Sequence, residues 1–332
     1  MKILAIRFAR LGDVVLLLPA LSSLKQAFPG AHLTFLTGHR CAPVAELCPS
    51  IDEVIAVNRV AIRDGPIWSA VVNIAAVVRD IQRKGFDLVI DFHSFRETNL
   101  LAWLSGAPMR VGLKRQGAPY WRFCFNKPPV REDKGLHVAA MFQRVIDRVV
   151  APGQAASPKG RALVIPDHLK RWADGAAPKG PRLALYIDAP APDRIWPPER
   201  FAAVAEVAME KLQSTVIVLS GKTGEELARK LASASPHPSS LSIFTDVTIP
   251  QLAALISSAR LLISNDTGPM HIGPAVGVQT LGLFSVGYPR HFRPSGPDDK
   301  FLRGNPIEEI EANDVIAEMR KMWITADRDL RC

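Results

Sequence analysis

Four cysteines in 332 residues, Cys41, Cys48, Cys124 and Cys332, are too few and too scattered to staple a fold. None forms a C-x-x-C pair, which argues against a disulfide framework or a thiolate zinc site and fits a reducing, cytoplasmic setting. No apolar run approaches the ~20 residues that cross a bilayer as a helix. The N-terminal stretch KILAIRFARLGDVVLLLPAL has the charge of an export signal. However, Arg7 and Arg10 interrupt its apolar run, Asp13 stands at the entrance of VVLLLPAL, and no clean small-residue cleavage site follows. Aromatics make up only 7% of the chain, little stacking surface for a single-stranded nucleic acid. The first βα turn reads R-L-G-D and lacks G-x-G-x-x-G, which weakens a nicotinamide-dinucleotide reading. The S-G-K-T-G at 220–224 lacks the spacing of a P-loop.

What is present is an alternation of strands and helices, restarted once. KILAIRF, AHLTFLTG, IDEVIAV, the LVIDF that follows Gly85, and MRVGL read as strands. GDVVLLLPALSSLKQAF, kinked at Pro19, VAELCPS and residues 66–84 read as helices between them. A stretch rich in Pro, Gly and Ala, about 151–181, reads as an interdomain connection with a strand-like RALVI inside it. RLALYID, TVIVLSG, LSIFTD and RLLISN then resume as strands, separated by helical periods. The expectation is an α/β protein of two Rossmann-like, doubly wound domains facing a cleft, residues 1–165 and 166–332. The final helix IEEIEANDVIAEMRKMW is expected to pack back on the first domain.

Charge is divided unevenly. Residues 1–165 carry 22 Lys+Arg against 12 Asp+Glu, whereas residues 166–332 carry 19 against 20. A one-sided field of this kind draws an anionic partner to the first half. The second half holds the motif RLLISNDTGPMHIGPAVGVQTLGLF, residues 260–284. A strand expected to end at Ser264 leads through N-D-T-G into a helix expected to start at Pro269, with Asp266 or Thr267 as cap and His271 in the first turn. Free N–H groups and a positive helix end at the carboxyl edge of a parallel sheet suit a diphosphate; the same residues also make an ordinary capped helix. Arg194, ahead of W-P-P-E-R, is placed to neutralise phosphates. Glu225, after Gly221 and Gly224, suits the polar edges of a ribose or base, or simply starts a helix. Asp13 in R-L-G-D-V reads locally as a helix N-cap.

The combination of G-D at 12–13, R-I-W-P-P-E-R-F, G-x-x-G-E and S-N-D-T-G-P-M-H resembles the bacterial lipopolysaccharide heptosyltransferases, over nearly the whole chain from Lys2 to about Pro294. The resemblance implies a GT-B fold with the acceptor in the first domain and the nucleotide sugar in the second. It also implies an ADP-heptose donor, inversion at the anomeric carbon, and neither cofactor nor metal. Asp13 is then the general base, Gly12 clears the approach to it, and Arg194, Thr267 and Gly268 stabilise the leaving diphosphate. Asp266 and His271 would lie near the transferred sugar or its phosphate. An anionic inner-core glycolipid gives the basic half a purpose, with Arg59, Arg63, Arg96, Lys114 and Arg115 as its candidate partners. The expected setting is the cytoplasm, with peripheral contact at the inner membrane and no nucleic-acid partner. Two departures stand out: the family usually has lysine where Arg194 stands, and L-F-G-P-T where this chain has L-F-S-V-G, Leu283 to Gly287. The competing expectations are another nucleotide sugar, a NAD-dependent Rossmann enzyme, or a non-catalytic nucleotide-binding protein.

Overall fold

The computed structural model describes residues 1–58, 67–151 and 160–329. The chain divides into two compact units, Met1–Ala162 and Leu163–Cys332. In the first unit, β1 (Lys2–Arg7), β2 (His32–Gly38), β3 (Glu53–Val57), β4 (Leu88–Asp91), β5 (Met109–Lys114) and β6 (Val130–Arg131) form a sheet in the order β3-β2-β1-β4-β5-β6. In the second, β7 (Arg182–Tyr186), β8 (Thr215–Leu219), β9 (Leu241–Phe244), β10 (Leu261–Asn265), β11 (Gln279–Phe284) and β12 (Lys300–Arg303) are ordered β12-β11-β10-β7-β8-β9. Every paired strand is parallel. Counted from its own first strand, each sheet has the same winding, with strand order reversing beside β1 in one unit and beside β7 in the other. Ligands of doubly wound sheets bind beyond the carboxyl ends of the strands at that switch point.

Local chemistry explains the elements that set up those edges. Central strands such as LVID of β4 and LLISN of β10 are buried along their whole length, as parallel strands covered on both faces must be. The apolar run after β1 forms two helices, Leu11–Val15 and Leu18–Ala27. Pro19 lies in the first turn of the second helix, where a missing N–H costs nothing. The helix Ile67–Lys84 ends at Gly85, whose φ of +64° closes it before β4. The helix Val138–Asp147, which the sequence reading passed over, packs on Leu18–Ala27.

Three expectations are corrected. The Pro/Gly/Ala-rich stretch contains a helix, Asp167–Ala176, that packs on the helix Ile249–Ser257 of the second unit. Within it, RALVI pairs with no strand among the described residues; Leu163 donates its N–H to the Ala275 carbonyl at 3.0 Å. The C-terminal helix Ala312–Asp329 was expected against the first domain. Its Val315, Met319, Met322 and Trp323 are instead buried in the second unit's core. Burial at roughly 1.5–3 kcal/mol per large apolar side chain explains why that face is used there, and Arg260 covers the Trp323 ring at 4.8 Å.

Candidate active site

At the switch point of the first sheet, β1 ends on Arg7 and the adjacent β4 on Asp91. Arg7 is 3% exposed. One of its amino groups, Nη1, donates to the Phe92 carbonyl at 2.6 Å, and Nη2 to Asp13 Oδ1 at 2.8 Å. Its carbon Cζ lies 5.1 Å from the centre of the Phe142 ring. Burial, and the neighbouring charge of Arg115, pull the guanidinium below its ordinary pKa, while Asp13 and Asp91 oppose the shift. Asp13 therefore sits on a guanidinium whose own position is fixed by backbone and ring.

This geometry overturns the cap reading of Asp13. The helix Leu11–Val15 is capped by Arg10, no side chain bonds its first turn, and Asp13 is its third residue. Gly12 is buried inside the helix and is not among the positive-φ glycines, so no special backbone shape requires a glycine there.

Asp91 is fully buried. Its Oδ1 accepts the backbone N–H groups of His93 (2.9 Å) and Ser94 (2.8 Å), and its Oδ2 accepts Asn99 Nδ2 at 3.0 Å. Burial outweighs those bonds and pushes its pKa up to about 6. The carboxylate organises the turn after β4, including Ser94 at φ +56°. The sequence reading missed it, although a carboxylate closing an otherwise apolar strand was the available signal.

The predicted acceptor residues divide. Arg96, the first residue of the helix Arg96–Leu104, and Lys114, the last of β5, are exposed at the same sheet edge. Arg115 is partly buried, with its Nε 3.5 Å from Glu132 Oε1 and its Cζ 5.4 Å from the centre of the Phe95 ring. Arg59 and Arg63 lie outside the described residues.

At the switch point of the second sheet, β10 ends on Asn265, the last residue of RLLISN, rather than on Ser264. Asn265 is a clamp: its Nδ2 donates to the Ile187 carbonyl at 2.8 Å, and its Oδ1 accepts the Trp196 N–H at 3.2 Å. Between those points the chain makes a 3-10 turn, Pro192–Arg194. Arg194 Nη1 donates to Asp266 Oδ2 at 3.1 Å. Its Nε is buried with no partner among the described residues. Burial raises the Asp266 pKa above the usual carboxylate range, against the pull of Arg194.

The expected helix at Pro269 is corrected. Gly268–His271 is a 3-10 turn and the α-helix Ile272–Val276 follows; neither Asp266 nor Thr267 caps it with a side chain. Asp266 is occupied by Arg194 instead. Thr267 and Gly268 are partly buried beside it, and His271 is buried in the turn. Glu225 is exposed at the first residue of the helix Glu225–Ala234, after β8, two strands away from β10. The sequence reading missed its neighbour Asp188, which follows β7. A Cβ on Gly221 would lie 3.1 Å from Asp188 Oδ2, a tight contact that the carboxylate would have to move by a few tenths of an ångström to accept. Among the described residues no group of three His, Cys, Asp or Glu side chains is placed to hold a metal ion, and no helix is long and apolar enough to cross a membrane.

Comparison with known proteins identifies the family. Residues 74–318 match the family model of glycosyltransferase family 9 (heptosyltransferase). Lipopolysaccharide heptosyltransferase 3 of Escherichia coli is 23% identical over 283 residues, covering 83% of this chain and 81% of its own. The crystal structure of a family 9 glycosyl transferase from Veillonella parvula superposes with a TM-score of 0.86 at 24% identity, over 98% of this chain and 97% of that one. E. coli heptosyltransferase WaaC, solved with ADP, superposes with a TM-score of 0.80 at 19% identity, over 97% of this chain and 100% of that one. These structures share the GT-B fold expected from the sequence, and the chain belongs to glycosyltransferase family 9, the heptosyltransferases.

Proposed function

We propose that this enzyme transfers a heptose from ADP-heptose to an anionic inner-core lipopolysaccharide acceptor, inverting the anomeric carbon and using no metal ion. The observation that carries the proposal is the Arg7–Asp13 pair: a carboxylate held by a fixed guanidinium at the ligand-binding edge of the first sheet. In the second unit, the Arg194–Asp266 pair with its orphaned Nε suits an incoming diphosphate. Relatives named as lipopolysaccharide heptosyltransferases and an ADP-bound relative support the donor and acceptor classes.

In this mechanism Asp13 accepts the proton of the acceptor hydroxyl as its oxygen attacks the anomeric carbon from the face opposite the diphosphate. The bond from that carbon to the diphosphate oxygen breaks, and the electron pair leaves with ADP. Arg194 takes up the charge that develops on the leaving oxygens, with the backbone at Thr267 and Gly268 beside it. His271 and Asp266 border the sugar and its phosphate, and Glu225 addresses the nucleoside. Arg96, Lys114 and Arg115, with Arg59 and Arg63, draw the anionic acceptor to the first unit. A lipid-borne acceptor would hold the enzyme at the cytoplasmic face of the inner membrane.

A thermal-shift panel of ADP, UDP, GDP and NAD tests the donor class, because a ligand that binds the native state raises Tm. ADP is expected to give the largest rise. Stabilisation by NAD and by no nucleoside diphosphate would overturn the proposal.

A further inference from the structure

The two departures from the family pattern, Arg194 and the Ser285–Gly287 segment, meet in space. Ser285 follows β11 and is 1% exposed. Its hydroxyl donates to the carbonyl of Asp193, the residue before Arg194, in a short hydrogen bond. Two residues on, a Cβ on Gly287 would lie 2.3 Å from Asp266 Oδ2 and 3.2 Å from its Cγ. That is well inside van der Waals contact, so the carboxylate that holds Arg194 lies where any other residue at 287 would place its side chain.

The Pro192–Arg194 turn is thus fixed from three directions. Asn265 holds the chain at Ile187 and Trp196, Ser285 holds Asp193, and Asp266 holds the guanidinium itself. A guanidinium is a planar fork, and its advantage over an ammonium is lost unless the fork is oriented. Here Nη1 is committed to Asp266 and Nε is buried without a partner among the described residues. Leaving such a donor unsatisfied is unfavourable, a cost that an anionic oxygen would offset.

We propose that Ser285 and Gly287 are positioning residues that orient the Arg194 fork toward the diphosphate of the nucleotide, Ser285 by pinning the Asp193 carbonyl and Gly287 by leaving room for the Asp266 carboxylate. The proposal rests on the assignment of Arg194 to the donor diphosphate. It predicts that Ser285 matters only while residue 194 is a guanidinium: a lysine at 194 offers a rotatable point charge with no fork to orient.

Titration calorimetry of ADP on the full chain, in a double-mutant cycle of Ser285→Ala and Arg194→Lys, provides the test. Ser285→Ala is expected to weaken ADP about five- to tenfold with Arg194 present, a coupling common for residues in one network, and by less than about twofold in the Arg194→Lys background. Gly287→Ala is expected to show the same dependence on residue 194, and it carries the comparison if Ser285→Ala fails to fold. Equal losses in both backgrounds, or no loss in either, would show that the segment is only structural and overturn the proposal. A wild-type chain that binds none of ADP, UDP or GDP would remove the donor assignment itself, a failure distinct from the loss of coupling alone.

Discussion

Asp13 and Arg7 form an ion pair at 2.8 Å in which the two partners are unequally held: Arg7 is buried, bonded to the Phe92 carbonyl and packed on Phe142, while Asp13 keeps 23% of its side-chain surface accessible. On the proposed mechanism the buried partner is the mount and the accessible carboxylate is the part that acts. Removing one member of such a pair leaves the other uncompensated.

Arg7→Lys should therefore impair catalysis more than binding. Lysine retains the charge but cannot place separate donors on Phe92 and Asp13 in a fixed fork. The expected result is a fall in kcat of about 10- to 100-fold, the scale of a small misplacement of a reacting group, with ADP affinity within about twofold of wild type. Steady-state kinetics with parallel ADP titration checks the split. An unchanged kcat would remove Arg7 from the positioning role.

Asp91 predicts an unusual pH dependence of stability. Its folded pKa, about 6, lies above the ordinary carboxylate value, so the native state binds the proton more tightly than the unfolded chain does. The stabilisation is fully present below about pH 4 and is lost as pH rises through 6. At about 1.4 kcal/mol per pH unit, the single group accounts for roughly 3 kcal/mol. Asp299, also pushed up to about 6 by burial, acts in the same direction. Denaturant unfolding of wild type and Asp91→Asn from pH 4 to 8 should show wild type losing stability relative to the variant as pH rises. A constant difference would mean that Asp91 titrates normally.

Gly273→Ala tests the packing beneath the 3-10 turn and helix that follow β10. A Cβ there would meet Thr280 Oγ1 at 2.1 Å, Leu262 Cδ2 at 3.0 Å and the Val278 carbonyl at 3.3 Å. Overpacking of this kind costs about 1–3 kcal/mol, and the expected drop in Tm is about 2–4 °C for each kcal/mol. Calorimetry showing an unchanged Tm would contradict the packing described here.

The doubly wound class of both units was legible in the sequence because buried parallel strands leave near-continuous apolar runs and the helices between them carry their own period, whereas β6, β11 and β12 were not read as strands. Pro19 and Gly85 marked breaks for reasons of backbone chemistry that need no tertiary context. The destination of the C-terminal helix was not legible, because an amphipathic stripe records that a face is buried but not against which surface. The site was half legible for a similar reason. Asp13, Arg194 and Asp266 stood out beside their motifs, whereas their pairing did not: Arg7, six residues before Asp13, read only as part of a strand, and Asp266 lies 72 residues after Arg194, at the end of a strand that the sheet sets beside β7. The caps proposed for Asp13 and Asp266 were reasonable local choices that lost to ion pairs formed in the folded chain.

Acceptor capture should depend on salt. Neutralising Arg96 and Lys114 together, both exposed at the carboxyl edge of the first sheet, should raise the KM for an anionic acceptor several-fold and flatten its rise with ionic strength, with ADP affinity unchanged. Initial rates across a salt series check this, and an acceptor KM insensitive to both substitutions would exclude these residues from the acceptor site.

On the proposed mechanism Asp13 is the base of an inverting heptosyl transfer. The most direct test of that role is the single-turnover rate of Asp13→Asn with ADP-heptose and inner-core acceptor, read beside ADP binding and thermal stability. The expected result is a rate loss of at least about 10²-fold, the range expected on removing a general base, with ADP affinity close to wild type and a lowered Tm, because the buried Arg7 guanidinium loses its counter-charge. A variant that turns over within a few-fold of wild type would show that Asp13 serves only as the ion-pair partner of Arg7.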